Sequence, residues 1–172
     1  AAGSSLHADA AAGVSAVVGA LVRAGADVNL ARSQDGRTPL IVAVEEGAPE
    51  AVAALLGAGA DPRAVDAERW TPLHWAAYLG DHAAARALLE AAGSAAAGEA
   101  GAPPVPPAAE GAARLVDARN ATGATPFGLV MEMCAERWVG GRGAVRCYAT
   151  TVRVLAAHGA DVAGWRERAS GE

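Results

Sequence analysis

Aromatic residues are scarce in this sequence, which has four Trp, two Tyr and one Phe among its 172 residues. Hydrophobic residues nevertheless make up 52% of the chain, and alanine supplies much of that share. A core built from such small side chains argues against a thick sheet sandwich. It favours helices that pack closely on other helices.

Lysine is absent, and the 14 basic residues, all arginine, form no stripe or cluster in the sequence. We therefore expect no nucleic-acid partner. The two cysteines, Cys134 and Cys147, have no C-x-x-C partner and cannot form a disulfide framework. This predicts a reducing, intracellular compartment, with the cytoplasm as first choice and an organelle as the alternative.

Long apolar runs are also missing, so we expect no membrane insertion. The first residues, 1–5, show no charged segment followed by an apolar core, and no signal peptide is expected. The glycine-rich string at 140–143 lacks the Lys-Ser/Thr ending of a phosphate loop. With no supported nucleophile or metal-ligand set, we expect no catalytic residue, metal, cofactor or small-molecule ligand, and no enzyme activity.

Internal repetition is the strongest positive signal in the chain. Ser4, Thr38, Thr71 and Thr125 fall in register, with spacings of 34, 33 and 54 residues. The last spacing is one repeat plus 21 residues, which belong to a low-complexity insert. A period of this length is typical of stacked helical repeats, in which each unit covers the apolar face of its neighbour.

The repeat motifs are specific. They are TPLHWAA at 71–77, GADVN at 25–29, and GAD beginning at Gly59 and at Gly159. With them the sequence resembles the ankyrin family, whose repeat is about 33 residues long with a T-P-L-H-x-A signature. The resemblance implies an all-α solenoid of about four helix–turn–helix repeats with hairpin fingers and two loop inserts. We expect one domain over residues 1–168, with repeats at about 3–32, 33–65, 66–97 and 117–164.

Local patterns agree with this interpretation. Thr71 precedes a proline, which combines a capping hydroxyl with a residue suited to the first helical turn. Leu73, Ala76 and Ala77 form one apolar stripe at helical spacing. Gly80 follows the helix and can take the left-handed conformation that ends it.

Two segments interrupt the repeats. Residues 94–114, rich in Ala, Gly and Pro, predict a mobile loop. Its prolines at 103–107 indicate a stiff spacer in preference to a polyproline ligand. A second insert, at about 137–146, divides the fourth repeat. We expect helices from Pro126 to about Trp138 and from about Ala144 to Ala157, with a flexible break at 140–143.

Two positions bear on the repeat signature itself. The resemblance implies that His74 and His7 are structural, with their rings hydrogen-bonded to backbone around the turn. Arg69 stands where Gly36 and Gly123 stand in the neighbouring repeats. We therefore expect an altered turn at Arg69.

The resemblance also implies that partners dock on the concave face, which is made by the fingers and the first helix of each repeat. With Leu73 facing the core, the helical period turns Trp75, Tyr78 and Leu79 away from it, and Trp70 lies in the adjoining finger. The alternative for Trp75 is that it leans across the neighbouring repeat. The matching positions elsewhere are Val42, Glu45 and Glu46 with Asp35 and Arg37 in repeat two, and Leu129, Glu132 and Met133 in repeat four.

These positions describe an aromatic and aliphatic centre flanked by carboxylates. Clustered Trp and Tyr are typical of binding hot spots. We therefore expect a protein-interaction module or scaffold, whose partner offers an apolar anchor beside an Arg or Lys. The alternatives are a fixed structural subunit of a large complex and an organellar targeting or chaperone adaptor.

Overall fold

A computed structural model of the chain describes residues 13, 16–96, 115–137 and 142–160. Within them, residues 16–23 are helical (α1), and residues 115–116 form a helical turn. The other helices are α2 (Pro39–Glu45), α3 (Pro49–Gly57), α4 (Pro72–Leu79), α5 (His82–Ala96), α6 (Pro126–Arg137) and α7 (Arg142–Ala157). The described ranges contain no strand, which confirms the all-α prediction. In the same ranges, no helix combines the length and the apolar character needed to cross a bilayer.

The first helix of each unit begins in the same way. Thr38 and Thr71 have extended backbones, and their hydroxyls accept the amide N–H groups of Ile41 and His74 at 3.4 Å and 3.3 Å. The hydroxyl of Thr125 is placed likewise before α6. In each case a proline occupies the first helical position, where its missing N–H costs no hydrogen bond.

The helices pack in two rows. In one row α4 lies between α2 and α6, and in the other α5 lies between α3 and α7. Alanines make much of the contact surface, since Ala76, Ala77, Ala85 and Ala92 are completely buried. Small side chains therefore let the helices approach closely, as the composition predicts.

A hairpin turn, here called a finger, precedes each of α2, α4 and α6. Each finger closes on a backbone hydrogen bond, such as that from Asp66 N to Trp70 O at 3.1 Å. Neighbouring fingers are also joined, from Ala67 N to Asp35 O and from Ala121 N to Glu68 O, both at 2.9 Å. These bonds hold the three fingers in a row, at fixed register to the helices behind them.

The finger at Arg69 is not altered, contrary to expectation. Arg69 has φ 61°, close to the 71° of Gly36 and the 82° of Gly123. The finger of Arg69 closes with the same backbone bonds as the finger of Gly123, from Asp66 N to Trp70 O and from Asn120 N to Ala124 O. Because these bonds require the same turn, Arg69 adopts a conformation that a side chain disfavours. The chain thus keeps the turn and accepts local strain.

Replacing Arg69 by Gly should therefore stabilise the fold. We expect a gain of about 0.5–1 kcal/mol, because relief of the left-handed strain exceeds the extra entropy of glycine in the unfolded chain. Urea denaturation measures the gain. Arg69→Ala is the matched control, since it removes the same guanidinium but keeps the strained φ. An equal gain in both variants would trace the effect to charge and contradict the strain argument.

The boundaries near the inserts differ from expectation. Helix α5 continues to Ala96, because alanines extend it past Gly93, so residues 94–96 belong to the helix and not to the loop. Helix α7 begins at Arg142, so Arg142 and Gly143 are helical and not part of a flexible break. The remainder of the first insert, residues 140–141 and His7 lie outside the described residues.

Candidate functional site

Three aromatic side chains of the third unit lie against one another on the side of α4 that faces away from Leu73. Ring centroids of Trp70 and Trp75 are 5.0 Å apart, and those of Trp70 and Tyr78 are 5.8 Å apart, nearly edge to face. Trp75 and Tyr78 are also edge to face, at 6.3 Å. We call Trp70, Trp75 and Tyr78 the aromatic cluster. Such contacts stabilise one arrangement of the rings.

Two polar groups fix the position of Trp75. Its indole N–H donates to Asp66 Oδ2 at 3.2 Å, while Asp66 Oδ1 accepts the backbone N–H of Trp70 at 2.8 Å. The guanidinium carbon of Arg37, from the preceding unit, lies 4.7 Å from the Trp75 ring centroid. This is a cation–π distance. Trp75 thus also covers part of the neighbouring unit, which was the alternative interpretation of this residue.

Arg37 is itself held by two carboxylates. Its Nη1 lies 2.6 Å from Glu45 Oε2, and its Nε lies 3.5 Å from Asp35 Oδ2. Asp35 also accepts a hydrogen bond from Arg32 Nε at 2.9 Å. The bonds from Arg32, together with the backbone N–H of Arg37, lower the pKa of Asp35 to about 2. Asp35 therefore stays ionised across the physiological range.

The exposed part of this surface is apolar at one end and acidic at the other. Tyr78 and Leu79 keep 40% and 41% of their surface accessible. Trp70 and Trp75 are half-buried, and Glu46 is exposed at the end of α2. The structure thus brings the rings of the cluster beside Arg37 and its two carboxylates, as the register of the repeats predicts.

The fourth unit differs from expectation. Leu129 is only 7% exposed, so the prediction that it contributes to the surface is wrong for its side chain. The physical reason is that α6 packs against both α4 and α7, which leaves less of it free. Met133 is half-buried and packs against the core, while Glu132 is exposed. The candidate surface is therefore centred on the second and third units.

His74 lies beneath the cluster and is fully buried. Its Nδ1 accepts the backbone N–H of Thr71 at 3.2 Å, and its Nε2–H donates to the carbonyl of Ala124 at 3.2 Å. The ring thus joins the start of α4 to the next finger, a structural role that the resemblance implies. Burial lowers the pKa of His74, against the opposing effect of the backbone carbonyls that accept from it.

This environment predicts acid sensitivity. The unfolded chain binds a proton at His74 more readily than the folded chain, so stability is full above about pH 6.5 and falls as the pH drops below it. Denaturant midpoints at pH 7.5 and 5.5 measure the fall. His74→Gln should be less stable than the wild type at pH 7.5. Its denaturant midpoint should fall less than that of the wild type between pH 7.5 and pH 5.5. His82→Gln, at an exposed position, should show the same fall in midpoint as the wild type. If this fall were reduced as much as in His74→Gln, the acid sensitivity could not be assigned to His74.

Two contributors were not found by the analysis of the sequence. Asp66 is 8% exposed and binds the Trp75 indole, and Arg32 is the main partner of Asp35. A signal for Asp66 exists, because it stands five residues before Thr71, as Asn120 stands five before Thr125. Asn120 Oδ1 likewise accepts the backbone N–H of Ala124 at 2.9 Å. In these two fingers the repeat register therefore marks a side-chain oxygen that accepts the backbone N–H of the last finger residue.

The charged groups beside the aromatic cluster pair mainly with one another. In the portion of the chain that the structure describes, no three residues among His, Cys, Asp and Glu are grouped to hold a metal ion. Burial raises the pKa of the Cys134 thiol, which keeps it protonated. The features that remain are rings, carboxylates and one positioned guanidinium.

Comparison with known proteins agrees with the repeat pattern. A family model described as three copies of ankyrin repeats matches residues 6–97. The chain is also similar to the neurogenic locus notch homolog protein 1 of Danio rerio, with 41% identity over 85 residues. That match spans 49% of this chain but only 4% of the relative's length. The helical fold, the repeated caps and the family match together show that the chain belongs to the ankyrin repeat family.

Proposed function

We propose that this chain binds another protein through a surface made of the aromatic cluster, Leu79 and the carboxylates of the second unit. Ankyrin repeats generally serve as protein-interaction modules, which gives the class of function. The observation that carries the finer proposal is the aromatic cluster, three rings in mutual contact beside the exposed Leu79. Aromatic residues on a preorganised surface contribute strongly to binding, because little side-chain entropy is lost on contact.

Charge gives the chemistry of the partner. Asp35, Glu45, Glu46 and Asp66 carry four negative charges near the cluster, and Arg32 and Arg37 carry two positive ones, which leaves a net charge of −2. Asp35 and Glu45 are already paired with Arg32 and Arg37. The excess negative charge is therefore that of Glu46 and Asp66, and it attracts a cation. The expected ligand is a segment with an apolar side chain that packs on Tyr78 and Leu79 and an Arg or Lys beside it.

A random peptide display library selected on the immobilised chain tests this proposal. Enriched peptides should pair an apolar anchor with a neighbouring basic residue. The variant Tyr78→Ala/Leu79→Ala should lose at least tenfold in affinity for them, about 1.4 kcal/mol or more. Tyr78 also contacts the rings of Trp70 and Trp75, so this variant should be somewhat less stable than the wild type. Binding is therefore measured at a temperature where circular dichroism shows both proteins to be fully folded.

The chain offers a matched control in Val17 and Leu21, which are 60% and 55% exposed on α1. The variant Val17→Ala/Leu21→Ala removes a similar apolar area away from the aromatic cluster and should bind as the wild type does. Equal losses in the two double variants would show general hydrophobic adhesion and reject the surface. Enriched peptides without a basic residue would reject the proposed role of the carboxylates.

A further inference from the structure

A second surface feature lies between the third and fourth units, where three arginines line one cavity. The cavity has a volume of about 240 Å³, and its walls include Arg63, Arg69 and Arg119. Val65 and Leu115 contribute apolar walls, the first 49% exposed and the second buried. No acidic residue of the described ranges lines it. A cavity whose charged lining residues, within the described ranges, are all arginine is unexpected in a chain whose net charge is −5.

The arginines around this cavity form no ion pair with a carboxylate of the described residues. The ion pairs among the described residues involve Arg32, Arg37 and Arg86, and none involves Arg63, Arg69 or Arg119. Arg119 Nη1 donates to the carbonyl of Gly123 at 3.1 Å, which orients its guanidinium without neutralising it. Three like charges near one another repel, and a bound anion would relieve that repulsion.

Backbone strain at Arg69 is an independent observation. Glycine occupies the same turn position in the other two fingers, at Gly36 and Gly123. Arg69 adopts the left-handed φ of 61° at a cost in stability and sets its side chain at the cavity. Strain of this kind persists where hydrogen bonds of the surrounding structure hold the turn, and it is frequent at binding sites. Anion binding suits this side chain, since guanidinium groups offer several N–H donors in a fixed plane.

We infer that this cavity binds the phosphoryl group of a phosphorylated Ser, Thr or Tyr side chain on a partner protein. A phosphomonoester carries close to two negative charges and three terminal oxygens, so it can accept from three guanidiniums at once. A carboxylate has one charge and two oxygens and matches them less well. The volume is below the 300 Å³ or more typical of pockets for whole small molecules, and suits one side chain.

The apolar walls favour a peptide over a free ion. Val65 is exposed, so the carbon atoms of a phosphorylated side chain can pack on it. Inorganic phosphate has no carbon atoms and cannot make this contact. The inference does not depend on the surface proposed above, because none of the cavity residues belongs to the aromatic cluster. The two sites can fail separately.

The test uses the full chain and degenerate peptide libraries with a fixed central phosphoserine, phosphothreonine or phosphotyrosine, and the same libraries unphosphorylated. We expect at least tenfold preferential capture of phosphopeptides. Fluorescence polarisation with an enriched phosphopeptide should then show losses of tenfold or more for Arg63→Gln and for Arg119→Gln. Arg153→Gln, an equal charge change at an exposed position of α7, should bind as the wild type does.

Further arms separate the outcomes. Arg69→Gly should bind phosphopeptide more weakly while the protein becomes more stable, which a merely structural role of Arg69 would not produce. Tyr78→Ala/Leu79→Ala should leave phosphopeptide binding unchanged. Equal capture of phosphorylated and unphosphorylated libraries would overturn the inference. The inference would also be overturned if Arg153→Gln lost as much phosphopeptide affinity as Arg63→Gln and Arg119→Gln. It would be overturned as well if inorganic phosphate displaced the phosphopeptide as effectively as phenyl phosphate does.

Discussion

Gly80→Ala is expected to destabilise the chain by about 2–4 kcal/mol, although it adds a single methyl group. Gly80 ends α4 with φ 72°, and a methyl there would lie 3.1–3.3 Å from three carbons of the Tyr148 ring. That ring is 3% exposed, and its hydroxyl donates to the carbonyl of Tyr78 at 3.0 Å. Thr151 of the same helix donates to the carbonyl of Gly80 at 3.1 Å. The ring is therefore held in place and cannot move aside.

Gly47→Ala is the control for this prediction. Gly47 has a similar φ of 62°, but a methyl there would meet no atom within 4 Å. Gly47→Ala should therefore lose only the free energy needed to hold a residue with a Cβ atom in the left-handed conformation, about 1–2 kcal/mol. Urea unfolding of both variants gives the difference, which measures the Tyr148 contact. Equal losses would show that the contact yields. In the Tyr148→Ala background the two glycine variants should become alike.

Much of this fold is predictable from local sequence. Thr71, Pro72 and Gly80 specify the start and end of a helix through interactions within a few residues, and the same pattern repeats along the chain. The pairing of Trp70 with Trp75 and Tyr78 follows from helical spacing together with the adjoining finger. Where a feature depends on one turn of helix or one hairpin, sequence alone predicts it.

Features that join distant parts of the chain were not predictable in this way. The contact of Tyr148 with Gly80 crosses two inserts, and no periodicity marks it. Leu129 was misplaced because its burial depends on how α7 covers α6, a matter of tertiary packing. Arg69 was misjudged for a related reason. The hydrogen bonds of the neighbouring fingers hold its turn, and they outweigh the preference of one residue.

Leu88→Ala should lower the free energy of unfolding by about 3–4 kcal/mol. Leu88 is completely buried in α5, a helix that packs against α3, α4 and α7. Removing its branched end leaves a cavity that the rigid neighbours cannot fill, and in a repeat stack such a cavity weakens the interfaces on both sides. Leu30→Ala is the control, since Leu30 is 69% exposed and its loss should cost less than about 0.5 kcal/mol.

The same variant tests whether the stack unfolds as one unit. In a background that carries Trp138→Phe and Trp165→Phe, Trp70 and Trp75 are the remaining tryptophans and report on the third unit by fluorescence. Circular dichroism averages over all helices. If α5 couples its neighbours as the packing indicates, both signals should shift together to lower urea in Leu88→Ala, with an unchanged slope. A fluorescence transition that separates from the dichroism transition would show that the third unit unfolds alone. In that case the interfaces of α5 with α3 and α7 contribute less than their burial implies.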